Sequence, residues 1–226
     1  MSVAQELESW RTPAAKTVKA APKPGERAPV NDSFQFKTDK PTLVVFLRHC
    51  GCPFAEKTFK KLTKISSMYQ DVLHCVAVSH SEPESTERWV VQVGGNWEVQ
   101  VVVDHEREMY AQWGMGISNT WHVLGPMTLY KTFQLGKQEN VWNRPTESGN
   151  RWQTSGAFAV DKDGTVRWAK IATSAADMPD LDAALGTLGI RLRKRGPRDQ
   201  SPSAIYARSL RPEKRDNNED KFSIED

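Results

Sequence analysis

Two cysteines separated by one glycine and followed by a proline form the sequence Cys50-Gly51-Cys52-Pro53. Two interpretations fit this motif: a redox-active thiol site, or only the beginning of a helix. Zinc sites space their ligand pairs by about two to four residues and need a second pair, which does not follow here. With His49 as the only neighbouring imidazole, we expect no metal and no bound cofactor.

Pro53 suits the first position of a helix, because the N–H that it lacks would have no partner there. Cys52 is then the predicted N-cap. The helix dipole favours a thiolate at that end, and thiols so placed have pKa values lowered from about 8.5 to between about 3.5 and 7.5. We therefore predict Cys52 as a catalytic nucleophile, with a small apolar residue at a helix start as the alternative.

The other residues around the motif have less certain roles. Arg48 and His49 add positive charge, but in an extended strand their side chains point to opposite faces, so at most one should reach the thiol. Cys50 is either a resolving thiol, which would form a strained and labile disulfide with Cys52, or a thiol that points away. Cys75 lies in the apolar run VLHCVAV and is predicted as core.

Strands and helices alternate around the motif. The continuous apolar run TLVVFL predicts a central strand, and the motif stands at its carboxyl end, where ligands bind in open α/β sheets. Helical and strand patterns follow in turn, and a hairpin around Asp163-Gly164 and a last helix complete the order. This order predicts an α/β thioredoxin-like fold with a central mixed sheet and helices on both faces.

The chain divides into three predicted parts. Residues 1–40 contain several prolines and predict an extended N-terminal arm on the domain surface. Residues 41–190 form the thioredoxin-like domain. Residues 191–226 are charged and of low apolar content, which predicts a disordered tail. Between Ile117 and Thr154 there is no clean periodicity, so we expect a functional loop or irregular helix.

Composition excludes several classes of function. The formal net charge of +3 gives no basic face for nucleic acid, and the longest apolar run, LVVFL, is far shorter than a membrane span of about 20 residues. The first residues lack the apolar region of a secretory signal, and three cysteines suit a reducing compartment. We expect a soluble, cytoplasmic protein; a homodimer is compatible with the sequence.

Four segments, VVFLRHCGCPFAEKTF, VAVSHSEPEST, VVVDHEREMYAQWG and GAFAVDKDGTVRW, occur in an order that resembles peroxiredoxin-like proteins. These form the alkyl hydroperoxide reductase and thiol-specific antioxidant branch of the thioredoxin superfamily. The resemblance covers about Pro41 to Leu188, and NVWNRPTESGNRWQTSGAFAV is similar to fungal members. It implies a peroxidatic thiol at Cys52, with Arg151 as the nearest match to the arginine that supports the thiolate in that family.

The sequence departs from the family pattern at three places. His49 stands where the motif has a threonine, Ala55 stands where a Cys-x-x-Cys pair has its second thiol, and Thr154-Ser155-Gly156 lacks the usual cis-proline. A lone thiol before Pro-Phe also resembles monothiol glutaredoxins. The resemblance thus implies a peroxide or disulfide substrate, with glutathione or a thioredoxin as reductant.

Substrate contacts are predicted for Arg48, Pro53 and three tryptophans. Trp121, Trp142 and Trp152 belong to the segment expected to fold over the site, where they would form an apolar wall; ordinary core packing is the alternative. Two other functions remain open. One is a redox-silent binding or accessory protein of a metabolic pathway. The other is a non-redox cysteine enzyme that acts on an electrophilic metabolite with His49 as base.

Overall fold

The computed structural model describes residues 3–14, 16–30, 34–36 and 39–191. These residues form five strands and seven helices. In chain order the elements are α1 (Val3–Glu8), β1 (Thr42–Phe46), α2 (Pro53–Tyr69), β2 (His74–Ser79), α3 (Pro83–Gln92), β3 (Val99–Val103), α4 (Glu108–Gln112), α5 (Thr120–Leu124), α6 (Pro126–Glu139), β4 (Gly156–Val160), β5 (Val166–Ile171) and α7 (Leu181–Thr187).

The strands form one mixed sheet in the order β3-β2-β1-β4-β5. β1, β2 and β3 are parallel, whereas β4 runs antiparallel to both β1 and β5. β1 lies at the centre and every one of its residues is buried, as its continuous apolar run predicts. The predicted α/β mixed sheet is confirmed.

Both faces of the sheet are covered. Leu43 and Val45 of β1 face a core built with α2, α3 and α7, and Val44 and Phe46 face a second core built with α4. Ala28 and Phe34 of the N-terminal part belong to this second core. Helices therefore lie on both faces of the sheet, as predicted. The N-terminal part adds to the core on the face that α4 covers.

The N-terminal arm differs from its prediction. Residues Val3–Glu8 form a helix, and the described residues between it and β1 contain no further helix or strand. The prediction was wrong here because the first proline is Pro13, so nothing in the first twelve residues opposes a helix. The predicted tail, apart from Arg191, lies outside the described residues.

The stretch from Ile117 to Thr154 contains two helices, where the sequence shows no clean period. Asn119 caps α5, since its side-chain oxygen accepts a hydrogen bond from the His122 N–H, and Pro126 opens α6. The period is obscured because α6 is apolar on its exposed face as well as its buried one. In the part of the chain that the structure describes, no helix is both long and apolar enough to span a bilayer.

Candidate active site

The loop between β1 and α2 carries the two cysteines. Gly51 has a φ of +116°, which L side chains rarely adopt, and the Cys52 N–H donates to the His49 carbonyl at 3.2 Å, so the chain turns back on itself. Pro53 then opens α2, and Cys52 occupies the N-cap, as predicted. The turn thus places one thiol at the amino end of a 17-residue helix.

Arg48 is the cation at the Cys52 thiol. Its Nη1 lies 3.4 Å from Cys52 Sγ, and both residues are buried, with only 2% of Cys52 exposed. Arg48 also donates from Nη2 to the Arg151 carbonyl, while its buried Nε has no hydrogen-bond partner among the described residues. Of the two positively charged candidates before the motif, Arg48 is therefore the one that reaches the thiol.

His49 lies on a different path. Its buried ring places Nδ1 3.3 Å from the Thr146 hydroxyl oxygen and 3.4 Å from the Cys50 carbonyl oxygen. Burial, and then the positive charges of Arg48 and Arg151, lower the pKa of His49 well below its usual value. His49 is consequently a neutral imidazole near pH 7, and its ring contacts Thr146 rather than a thiol.

Cys50 points away from Cys52. Its Sγ lies 3.7 Å from the Ser79 hydroxyl and 4.0 Å from the Thr86 hydroxyl, and its backbone N–H donates to Ser81 Oγ at 3.2 Å. Burial raises the pKa of the Cys50 thiol, although the hydrogen bonds from the hydroxyls oppose this rise. All three cysteines are free, and burial raises the pKa of Cys75 to about 12, as expected for a core thiol.

Residues 144–152, named here the roof segment, cover the cysteine loop. The Arg144 N–H donates to the Gly51 carbonyl at 2.9 Å, and Thr146 is fully buried. A Cβ at Gly51 would stand 2.9 Å from the Arg144 carbonyl oxygen and 3.2 Å from Thr146 Oγ1. Glycine at this position therefore allows the roof segment to approach the thiol loop closely.

Arg151 and α1 hold the roof segment in place. The Arg151 guanidinium donates to Glu6, to Ser9 Oγ at 2.9 Å and to Thr146 Oγ1 at 2.8 Å, and it lies 4.8 Å from the ring centroid of Trp10. Arg151 therefore reaches the thiol site through its backbone carbonyl, which binds Arg48, rather than through its side chain. Its predicted support of the thiolate stays a prediction.

The sequence model of the AhpC/TSA antioxidant enzyme family matches residues 61–174, half of the chain. This chain belongs to the AhpC/TSA antioxidant enzyme family. The matched residues begin after the cysteine motif, so the thiol site itself is described by the structure and not by the match. No curated protein matches the sequence significantly.

Solved structures of the same branch share the fold of this AhpC/TSA family member. A peroxiredoxin-like protein from Aquifex aeolicus is 17% identical with a TM-score of 0.52, and the alignment covers 77% of this chain and 91% of that one. A thiol peroxidase from Chromobacterium violaceum is 14% identical with a TM-score of 0.51 and the same coverages. At these identities the likeness shows the fold alone, and that fold is thioredoxin-like.

The three tryptophans predicted as a substrate wall lie apart in this family member. Trp121 is 74% exposed on α5, Trp142 packs beside Phe133 of α6, and only Trp152 lies in the roof segment, edge-on to Trp10 at 5.7 Å. Since Trp121 lies on α5 and Trp142 follows the end of α6, the structure does not assemble the predicted wall. Pro53, which is also a predicted contact, is buried in the first turn of α2.

A small cavity of about 20 Å³, enough for one water-sized molecule, borders Arg48. Its lining includes Leu47, Arg48, Phe54, Ala55, Thr58, Ser155, Ala175, Asp177, Met178 and Pro179. The described residues contain no group of three histidine, cysteine or acidic side chains that could hold a metal ion.

Sequence reasoning missed Glu6, Ser9, Thr86 and Thr146. Glu6 and Ser9 are more than 130 residues from the arginine that they bind, and Thr86 is 36 residues from Cys50. No periodicity or local motif in a sequence indicates a contact between residues so far apart along the chain. Thr146 itself belongs to the turn-like sequence NRPTESGN, which was the local signal at its position.

Proposed function

We propose that this protein is a thiol-dependent peroxidase in which Cys52 is the nucleophile. The observation that carries the proposal is the Arg48 guanidinium, 3.4 Å from Cys52 Sγ at the amino end of α2. A buried cation and a helix N-terminus both stabilise a thiolate relative to a thiol. Membership of the AhpC/TSA family supports the same class of chemistry.

The proposed reaction needs only a peroxide and two thiol equivalents. The Cys52 thiolate attacks one peroxide oxygen, so that an S–O bond forms, the O–O bond breaks, and the leaving oxygen takes a proton to become an alcohol or water. A thiol then attacks the sulfur of the Cys52 sulfenic acid, and the hydroxyl group leaves as water. The product is a mixed disulfide between Cys52 and that thiol. A second thiol attacks the mixed disulfide and releases the Cys52 thiolate, and the two external thiols leave joined as a disulfide.

Arg48 has the donors that this step requires. Nη1 is directed at the thiol, and the Arg48 side chain keeps a further donor, the buried Nε, without a partner among the described residues, so one planar group has donors for both sulfur and a peroxide oxygen. Negative charge moves from sulfur to the leaving oxygen during the attack. A fixed guanidinium stabilises that charge without reorganising, which is the general advantage of a preorganised site.

We assign the reduction of the sulfenic acid to an external thiol, either glutathione or a thioredoxin. Cys50 is turned toward Ser79 and Thr86, and its raised pKa keeps it protonated. Because Cys52 is buried below the roof segment, that segment must open before a reductant reaches the sulfur. The three free cysteines favour a reducing compartment, for which we propose the cytoplasm.

The test is to identify which sulfur is oxidised. The reduced full chain is treated with one equivalent of hydrogen peroxide in the presence of dimedone, and the labelled peptide is identified by mass spectrometry. We expect a single label on Cys52, no label in Cys52→Ser, and unchanged labelling in Cys75→Ser, the matched buried control. With glutathione or thioredoxin present, peroxide consumption should become catalytic.

Two results would favour other functions. An unlabelled Cys52 would overturn the proposal and leave a redox-silent binding protein. Turnover of an electrophilic metabolite without any reductant would indicate a non-redox cysteine enzyme, but His49 contacts Thr146 rather than the thiol, and a base must lie within hydrogen-bond reach of its nucleophile.

A further inference from the structure

Helix α1 contacts the roof segment but belongs to neither core of the domain. Leu7, its largest apolar side chain, is 63% exposed, and the two cores include no described residue before Ala28. Its six residues are far fewer than the about 12 that an isolated helix needs for stability in water. The contacts of α1 with the roof segment therefore hold it in place.

The contacts of α1, and of Ser9 directly after it, converge on Arg151. The Arg151 guanidinium donates to the Glu6 carboxylate and to Ser9 Oγ, and the Arg151 backbone N–H donates to the Ser9 carbonyl at 3.0 Å. Glu6 also accepts a hydrogen bond from the backbone N–H of Thr146 at 2.9 Å. Because Arg151 and Ser9 are both buried, water competes little for these bonds. The side chain and the backbone of Arg151 are thus both held from the N-terminal helix.

Arg151 transmits this constraint to the thiol through its carbonyl group. The carbonyl oxygen accepts a hydrogen bond from Arg48 Nη2, and Arg48 Nη1 lies 3.4 Å from Cys52 Sγ. Among the described residues the buried Nε of Arg48 has no partner, so the Arg151 carbonyl is the oxygen that orients the guanidinium. If that carbonyl moves, the position of the cation at the thiol is no longer fixed.

We propose that Glu6 is a positioning residue for Cys52, and that docking of α1 on the roof segment keeps the Arg48 guanidinium at the thiol. Glu6 does not touch the thiol; it acts through Arg151 and then through Arg48. The proposal rests on the proposed function in one respect, that Cys52 is the nucleophile. It adds that the reactivity of this thiol depends on a helix that contributes nothing to the cores of the domain.

The negative charge of Glu6 separates this role from a direct electrostatic effect. A carboxylate that acted on Cys52 through its field alone would disfavour the thiolate, so removing it would favour the thiolate. Loss of the Arg48 contact has the opposite sign, because a neighbouring cation favours the thiolate. The direction in which a Glu6 variant shifts the ionisation of Cys52 therefore distinguishes the two effects.

The test is the pH profile of Cys52 alkylation by iodoacetamide in the full chain, with each cysteine followed by mass spectrometry. Glu6→Ala should move the midpoint of this profile upward by about one pH unit, the lower end of what a contacting charge gives. Arg48→Met should also move the midpoint upward, and adding Glu6→Ala to Arg48→Met should move it no further, because both changes remove the same contact.

Two controls separate positioning from a loss of fold. Glu8→Ala removes an exposed carboxylate from the same helix, where it pairs with Arg11, and should leave the midpoint unchanged. The core thiol Cys75 reports opening of the whole domain, and its alkylation should stay slow in Glu6→Ala. If Cys75 becomes reactive there, Glu6→Gln decides the test: it keeps an acceptor, loses the charge, and should give a smaller upward movement.

Three results would overturn the proposal. They are a midpoint that stays or falls in the Glu6 variants, a midpoint that rises equally in Glu8→Ala, and a full further rise when Glu6→Ala is added to Arg48→Met. Alkylation uses no peroxide, so the two proposals fail separately. A Cys52 that peroxide leaves unoxidised would refute the proposed function, and the alkylation profile would still decide whether Glu6 positions Arg48.

Discussion

The two thiols on either side of Gly51 lie in different electrostatic environments. Cys52 faces the Arg48 guanidinium and the amino end of α2, whereas Cys50 faces the hydroxyls of Ser79 and Thr86. Both are buried to nearly the same degree. Burial is therefore not what distinguishes them; the difference is a cation on one side and neutral dipoles on the other.

This difference shows why closeness in sequence does not make a redox pair. Hydroxyl hydrogen bonds lower the pKa of Cys50 but do not offset the cost of burying its charged form, so the net shift is upward. A cation at contact distance acts on the charged form much more strongly than a neutral dipole.

Arg48→Met removes the cation from the Cys52 side. We expect the second-order rate constant of Cys52 oxidation by hydrogen peroxide to fall about 100-fold, the usual effect of losing one preorganised charge donor. Stopped-flow measurement of peroxide consumption checks it. Arg88→Met, which breaks the exposed Arg88–Glu147 pair at the roof segment, serves as control and should leave the rate unchanged. A fall of less than threefold in Arg48→Met would contradict the assigned role.

Gly51→Ala tests the turn that separates the two thiols. A φ of +116° and a Cβ 2.9 Å from the Arg144 carbonyl oxygen should lower the free energy of unfolding by about 2 to 3 kcal/mol. Urea unfolding measures the change. Gly186→Ala in α7 is the matched control, because a Cβ there meets nothing within 4 Å, and it should be neutral or slightly stabilising. Equal effects in the two variants would contradict the prediction.

His80, which stands in the sequence between the two serines that contact Cys50, should make the stability of the fold depend on pH. Burial, together with the positive charges of Arg107 and Arg48, lowers the pKa of His80 to about 3. The unfolded chain binds this proton below about pH 6.5 and the folded chain does not, so stability is lost as pH falls from about 6.5 toward 3. At pH 5 the loss from this group should be about 2 kcal/mol relative to pH 7.5.

Urea unfolding of the wild type and of His80→Gln at pH 7.5 and 5.0 measures this loss. The glutamine oxygen can still accept the hydrogen bond that the Asn150 N–H donates to His80 Nε2. His49, whose pKa is also lowered, should keep the remaining pH dependence in the variant. If the two proteins lose equal stability between the two pH values, His80 is not the group responsible.

Two isosteric substitutions compare the hydroxyls on the two sides. Thr146→Val removes the hydroxyl that binds Arg151 and contacts His49, which should let the Arg151 carbonyl shift from Arg48 and slow peroxide reduction about fivefold, or about 1 kcal/mol. Thr86→Val removes a hydroxyl near Cys50 and should not change that rate. Thr146→Ser should restore the wild-type rate. An equal slowing in both valine variants would remove the distinction between the sides.

Local sequence was sufficient for the elements that carry the site. The apolar run before Arg48 predicts the central strand, and Pro53 predicts the start of α2 and hence Cys52 at the N-cap. These features depend on residues within a few positions of each other, because strand burial and helix capping are local properties. The aspartate–glycine turn between β4 and β5 belongs to the same class.

The partners of each thiol depended on residues distant along the chain. Arg48 binds a carbonyl 103 residues away, and Arg151 binds Glu6, 145 residues away. Cys50 finds its hydroxyls on β2 and α3 because the parallel pairing of β1 with β2 brings them together. Local pattern contains no information about such contacts, and α6 was missed because both of its faces are partly apolar.

Local order along the chain was enough to predict a thiol at the amino end of a helix beside a central strand, since strand, cysteine and proline follow one another within a few residues. Long-range packing places Arg48 rather than His49 at that thiol, turns Cys50 away, and leaves Trp121 and Trp142 facing outward. A side chain's charge environment is set by all the groups packed around it, and most of those groups lie far along the chain.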